Sequence, residues 1–256
     1  MRIVTFAGTT WLIAGLALAA PGQLRSPGGE PGFERTRIPV ELQPHAIALG
    51  ERVWSRGRER VGLQGQFTDE AGQRAARVTT QLPGLVRLEG MRADGTPILF
   101  DGDQARAEGA GLTARDQAVL DVFAVDSIEG LLGQVSHGAA VRLLGRGFVV
   151  DAAGRRPDGP AALDIFEITA RLPTRGDHPV ETRRYDFDSE SGLLASVHRT
   201  VNGQAVETRF SYWGEVDGSM YPGLVERYEG GSRRFAFVTE TVDTEPAGDA
   251  GIFRLP

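Results

Sequence analysis

The sequence predicts a mainly β protein with few helices (α+β), its strands antiparallel. Three observations carry that prediction. Short alternating apolar segments recur from Val61 to the C-terminus, separated by turn residues such as Asp188-Ser189-Glu190-Ser191-Gly192, Asn202-Gly203, Asp217-Gly218 and Gly230-Gly231. The connections between them are of hairpin length, whereas parallel strands need crossovers of a dozen residues or more. A single stretch, Thr113 to Val135, carries a sustained helical stripe.

The chain opens with Met1-Arg2 and an apolar run from Ile3 to Ala19, followed by Ala20-Pro21-Gly22. One early Arg, a short apolar core and the small residues Ala17 and Ala19 read as a secretory signal peptide spanning residues 1–19. The run sits near the short end of the ~17 to 25 residues that span a membrane. Removing it leaves 27 basic against 34 acidic side chains, a net charge of −7. A mildly acidic surface argues against nucleic acid and anionic headgroup surfaces as partners. All 28 basic residues are Arg and there is no Cys, which excludes disulfides, thiolate chemistry and a lipidated N-terminus. Residues 20–35, with Pro21, Pro27, Pro31 and interspersed glycines, read as a flexible leader. Residues 36–256 show no linker in their middle and are expected to form one domain, exported to the periplasm or beyond.

Along that domain, Ile47 to Trp54 reads as a short helix. Val61 to Phe67 alternates, Thr68 to Gly72 turns, and Arg77 to Leu82 returns as its partner. After Pro83-Gly84, Leu85 to Gly90 alternates again, and Ala93 to Thr96 turns the chain into Pro97 to Phe100, which ends at Asp101-Gly102. The helix follows. Thr113 to Asp116 resembles a capping box with Asp in place of Glu, and Leu120, Phe123, Ala124, Ile128, Leu131 and Val135 recur at helical spacing. Asp126-Ser127 is placed to cap a second helix after a bend. Gly130, Gly133 and Gly138 weaken the end, so the helix depends on packing against the sheet. Strands resume at Val141 to Leu144 and Gly147 to Val150. Asp151 to Pro160 is a Gly/Pro-rich loop, and Phe166, Ile168, Ala170 and Leu172 face one way.

The last third allows a register to be written down. A two-residue loop at Asn202-Gly203 pairs Val201 with Gln204, Val197 with Thr208, Ala195 with Phe210 and Leu193 with Tyr212 on a buried face. Ser196 then lies opposite Arg209 and His198 opposite Glu207 on the solvated one.

Chemical constellations are sparse. His45, His137, His178 and His198 are scattered, HExxH, CxxC and HxH are absent, and no metal site is expected. Asp177-His178 has no nucleophile elbow to serve. Asp186 with Asp188, and Asp101 with Asp103, read as turn caps rather than paired catalytic carboxylates. Gly145-Arg146-Gly147 lacks the strand-to-helix setting of a phosphate loop. No catalytic residue and no cofactor is expected.

Tyr185-Asp186-Phe187-Asp188 with Ser191-Gly192-Leu193-Leu194, then Tyr212-Trp213-Gly214-Glu215-Val216-Asp217-Gly218, Tyr221-Pro222 and the terminal Phe253-Arg254-Leu255-Pro256 are strand-and-turn patterns of the last third. Arg87-Leu88-Glu89 after Pro83-Gly84, and Phe100-Asp101-Gly102, are their counterparts in the first half. Together they resemble the LolA/LolB-like group of periplasmic lipoprotein-sorting proteins and their RseB-like relatives, over about Val61 to Pro256. The resemblance implies an incomplete barrel of curved antiparallel sheet with helices across its hollow, and a non-enzymatic carrier or sensor of a lipid, lipoprotein acyl chain or other apolar ligand. The alternative is an envelope scaffold or regulator of the same fold with a filled core and a protein partner. A curved sheet and helix that leave space between them form an apolar cavity. The candidates to line it are Phe123, Leu131, Leu132, Phe166, Phe210, Tyr212, Phe235 and Phe237; the same residues would otherwise be packed core.

Overall fold

A computed structural model describes residues 4–5, 38–50, 59–81, 84–107, 111–148, 162–172, 174–246 and 250–253. The leader 20–35 and the loop 151–160 lie outside the described residues, as does the signal-peptide stretch apart from Val4–Thr5 (β1). Among the described residues no helix is long and apolar enough to cross a membrane.

A first meander runs through β2 (Glu59–Asp69), β3 (Gly72–Gln81), β4 (Leu85–Glu89), β5 (Ile98–Phe100) and β6 (Ala105–Ala107). After the helical layer comes a second, β7 (Ala140–Phe148), β8 (Ala162–Arg171), β9 (Val180–Asp188), β10 (Leu194–Val201) and β11 (Gln204–Ser211). A two-stranded hairpin follows, β12 (Gly214–Val216) and β13 (Ser219–Tyr221), and the chain ends through β14 (Leu224–Glu229) and β15 (Ser232–Pro246). The fifteen-residue β15 joins the two meanders, pairing with β14 through its first half and with β2 along Phe235 to Pro246. The result is one antiparallel sheet ordered β6-β5-β4-β3-β2-β15-β14-β11-β10-β9-β8-β7, with β1 beside Thr241 and Val242. It is curved and not closed into a barrel: β6 and β7 are its two edges.

The Asn-Gly register is as written: Val201 pairs with Gln204, Val197 with Thr208 and His198 with Glu207. Asn202 and Gly203 both take positive φ, as do Asp217-Gly218 and Gly230-Gly231, which closes all three hairpins tightly. Phe166, Ile168, Ala170 and Leu172 are buried on one side, as their alternation predicts.

Three local expectations need correction, and one strand was not expected. The N-terminal helix, α1 (Gln43–Ala48), starts before Ile47, with Pro44 in its first turn, and stops where Gly50 turns to φ 80°; residues 51–58 lie outside the described set. The two strands expected at Val141 and Gly147 are the single β7, kinked by a bulge beside Gly145 at φ 134°. β6 gave no sequence signal, because Ala105-Arg106-Ala107 offers one alternation in three residues. Tyr212 does not continue the inward face. It leaves the strand at φ 54° and is 72% exposed, its carbonyl accepting from the Gly223 amide.

The helical layer is α2 (Ala114–Asp121), a π-turn (Val122–Asp126) and α3 (Ile128–Ser136). Thr113 and Asp116 form the full capping box, and Ser127 caps α3 by accepting from the Gly130 amide. The π-turn is closed by the Ser127 amide donating to the Val122 carbonyl at 2.9 Å. In an α-helix, residues five apart point about 140° from each other. An i→i+5 turn brings them onto nearly one side, so Asp121 and Asp126 both face the sheet. The core lies between this layer and the sheet, with Phe67, Phe123, Leu131, Phe166, Tyr185, Phe187 and Phe237 all buried in it.

Candidate ligand site

Asp121 and Asp126 sit on an otherwise apolar helical face and are buried. Strand alternation puts Arg183 in phase with Tyr185, and Arg199 in phase with Val197, so both guanidiniums enter the core beneath the helices. Arg199 donates to Asp121 Oδ2 at 2.8 Å, and Arg175 reaches the same oxygen at 2.8 Å. Thr174 Oγ1 and Gln117 Nε2 donate to Asp121 Oδ1. Asp126 accepts from Arg183 Nη1 at 2.6 Å and from Thr208 Oγ1 at 2.7 Å, and Glu181 bridges Arg183 and Arg199. Burial alone would raise the Asp121 carboxyl. The guanidiniums of Arg199, Arg183 and Arg175 outweigh it and hold that carboxyl well below the usual range. Burial would likewise lower Arg183, and Asp126 and its neighbours reverse it. Burial pushes the Tyr185 hydroxyl up to about 12, and that hydroxyl donates to the Val125 carbonyl inside the π-turn. This network pins the helical layer, and the turn carrying Thr174 and Arg175, to the sheet.

Beyond the network, where α3 runs between the two halves of the sheet, a cleft of about 470 Å³ opens. Its floor is buried and mostly apolar: Phe100 at the end of β5, Ala124 in the π-turn, Gly130, Gly133 and Gln134 on α3, and Ala170 on β8. The two glycines differ. A Cβ on Gly130 would lie 2.5 Å from the Ala124 carbonyl oxygen, so Gly130 lets the π-turn fold back onto α3. A Cβ on Gly133 would meet nothing within 4 Å, so Gly133 leaves the cleft open. Gln134 is held by its amide nitrogen donating to the Val125 and Gly130 carbonyls. The rim is polar, with His137 after α3, Arg171 and His178 at the β8–β9 turn, and Asp103 after β5.

Of the eight residues expected to line a cavity, Phe123, Leu131, Leu132, Phe166, Phe210, Phe235 and Phe237 belong to the buried cluster between helix and sheet; Tyr212 does not. Phe123 meets Phe237 edge-on at 5.7 Å. None of the eight lines the open cleft. Its floor of glycine and alanine gave no sequence signal, because an apolar stripe is read from large side chains.

The polar expectations divide. Asp188 and Asp101 cap their turns, accepting from the Glu190 and Asp103 amides. Asp186 does not. It is buried and paired with Arg184 at 2.6 Å and with His198 at 3.2 Å. His198 therefore leaves Glu207, its opposite in the register, which pairs instead with Arg209. Its Nε2 meets both Asp186 and Ser196 Oγ, so no relay runs through the ring. His45 packs on Phe187 at 4.3 Å and donates through Nδ1 to the Gly192 carbonyl. Among the described residues no three His, Asp or Glu side chains gather to hold a metal ion.

No family model and no curated protein sequence matches the chain. Solved structures do. A LolA-superfamily protein from Nitrosomonas europaea superposes with a TM-score of 0.54 at 12% identity, covering 81% of this chain and 94% of its own. An outer-membrane lipoprotein-sorting protein domain from Vibrio parahaemolyticus gives 0.51 at 10% identity, covering 83% and 94%. The open curved sheet with a helical layer across it is therefore the LolA-like fold.

Proposed function

We propose that this chain is a non-enzymatic carrier or sensor of the cell envelope, exported by cleavage after Ala19, that binds an apolar ligand between α3 and the sheet. The cleft at Gly133 carries the reading. Its volume falls within the ~300 to 1,000 Å³ of ordinary small-molecule sites, and it combines a buried apolar floor with few polar groups at the mouth. Lipids and acyl chains fit that chemistry. The likeness in fold to a domain named for outer-membrane lipoprotein sorting agrees with it. Phe123, Leu131, Leu132, Phe166, Phe210, Phe235 and Phe237 form the proposed wall of a larger hollow, which a longer ligand would enter by parting the helical layer from the sheet.

Gly133→Met tests the reading. The new side chain starts in open space, so the variant should keep its fold while a neutral fluorescent apolar probe loses most of its affinity. The packing of those seven residues favours a second reading, an envelope scaffold with a filled core and a protein partner. A wild type that binds no apolar probe would remove the carrier and leave the scaffold as the better reading.

A further inference from the structure

The rim of the cleft is chemically one-sided. Arg171 is the last residue of β8 and exposed; among the described residues no carboxylate stands within ion-pair distance of it, whereas Arg175, Arg183, Arg184 and Arg199 nearby all have acidic partners. His137 adds a second group of defined orientation. Its Nδ1 lies 2.7 Å from the Gly133 carbonyl, which can only accept, so Nδ1 carries the hydrogen, and Nε2 donates to an oxyanion in the imidazolium form. His178 comes from the turn after β8, held at φ 44° by its amide donating to the Arg175 carbonyl at 2.9 Å. That turn is itself tied to α2, because Thr174 and Arg175 both donate to Asp121. Asp103, the one acidic residue of the rim, belongs to the loop after β5. Behind the rim the floor is apolar, with Phe100, Ala124 and Ala170 buried.

We propose that the cleft takes a single-chain anionic amphiphile, its hydrocarbon on the floor and its carboxylate or phosphate on Arg171, with His137 and His178 completing the headgroup site. This rests on the cleft being an apolar-ligand site. A planar guanidinium presents paired donors that match both oxyanions. A guanidinium that has no carboxylate partner among the described residues and stands at the mouth of an apolar slot favours a ligand with charge at one end over a neutral chain of equal length. Asp121 acts here as a positioning residue, since it anchors the turn that bears His178 and follows Arg171.

The test compares palmitate, hexadecyl phosphate and hexadecanol, with inorganic phosphate alone, on the mature protein, Arg171→Gln and Arg171→Lys by calorimetry. The wild type should bind both anionic chains on the order of tenfold or more tighter than hexadecanol, the range of a charge-assisted hydrogen bond. The ratio should fall to near one in Arg171→Gln and be partly kept in Arg171→Lys, with no binding of inorganic phosphate. Equal affinity of the wild type for hexadecanol and palmitate, or a ratio unchanged in Arg171→Gln, would overturn the headgroup site while leaving the apolar-ligand reading. Tight binding of inorganic phosphate would make the rim a site for free anions and overturn the amphiphile. Failure of every chain to bind would remove both proposals together.

Discussion

Asp121 accepts from four side chains, Arg199, Arg175, Thr174 and Gln117. Removing one partner of a buried ion pair leaves the other charge uncompensated, which typically costs about 3 to 5 kcal/mol. Asp121→Ala should therefore destabilise the protein by at most about that amount in urea unfolding, since the buried Arg199 would keep only Glu181, at 3.2 Å. The pH dependence has two parts. Burial lowers the His45 imidazole from its ordinary 6.5, against the Gly192 carbonyl and Asp164. Below about pH 6.5 the unfolded chain takes up a proton that the folded one refuses, so stability falls as pH drops through that window. Asp121 is held below its ordinary 3.8, so its contribution is present above that value and is lost as pH falls further. Stability should thus decline in two stages on acidification, and His45→Gln should remove the upper stage alone. Unfolding midpoints measured from neutral pH downward check this, and an unchanged upper stage in the variant would show that another group titrates there. Asp121, Arg183 and Arg199 were not singled out by the sequence. Strand alternation carries Arg183 and Arg199 inward with Tyr185 and Val197, but nothing along the chain says which carboxylate meets them.

At the scale of elements, the glycines of α3 separate two roles that sequence cannot distinguish. Each costs up to ~1 kcal/mol of helix propensity relative to Ala. Gly133→Ala meets nothing and should stabilise by a fraction of that, whereas Gly130→Ala drives a methyl into the Ala124 carbonyl and should destabilise. Thermal unfolding of the two variants checks the opposite signs; two stabilised variants would mean that the π-turn does not press on α3. The capping box at Thr113 and the cap at Ser127 were legible because each is a local pattern with a local cause. The hairpin turns were legible for the same reason, and the Asn202-Gly203 register followed from one of them. The π-turn was not: it answers to Arg183, Arg199 and Thr208, which lie 57 to 82 residues away. Tyr212 misled for a related reason, because the periodicity continues through a residue whose backbone has already left the strand.

For the whole molecule, two antiparallel meanders become one sheet only because β15 returns to pair with β2. That pairing joins residues more than 160 positions apart and leaves no trace in local pattern, so the sequence showed two similar halves but not how they join. The resulting sheet is open, and α3 lies across it where the cleft forms. The central claim is that this opening is occupied in the cell. Native mass spectrometry of the protein released from its own envelope tests it most directly. The account predicts a chain beginning at Ala20 that carries a lipid adduct, with the adduct absent from Gly133→Met isolated in the same way. Bare protein in every charge state, from wild type and variant alike, would contradict it.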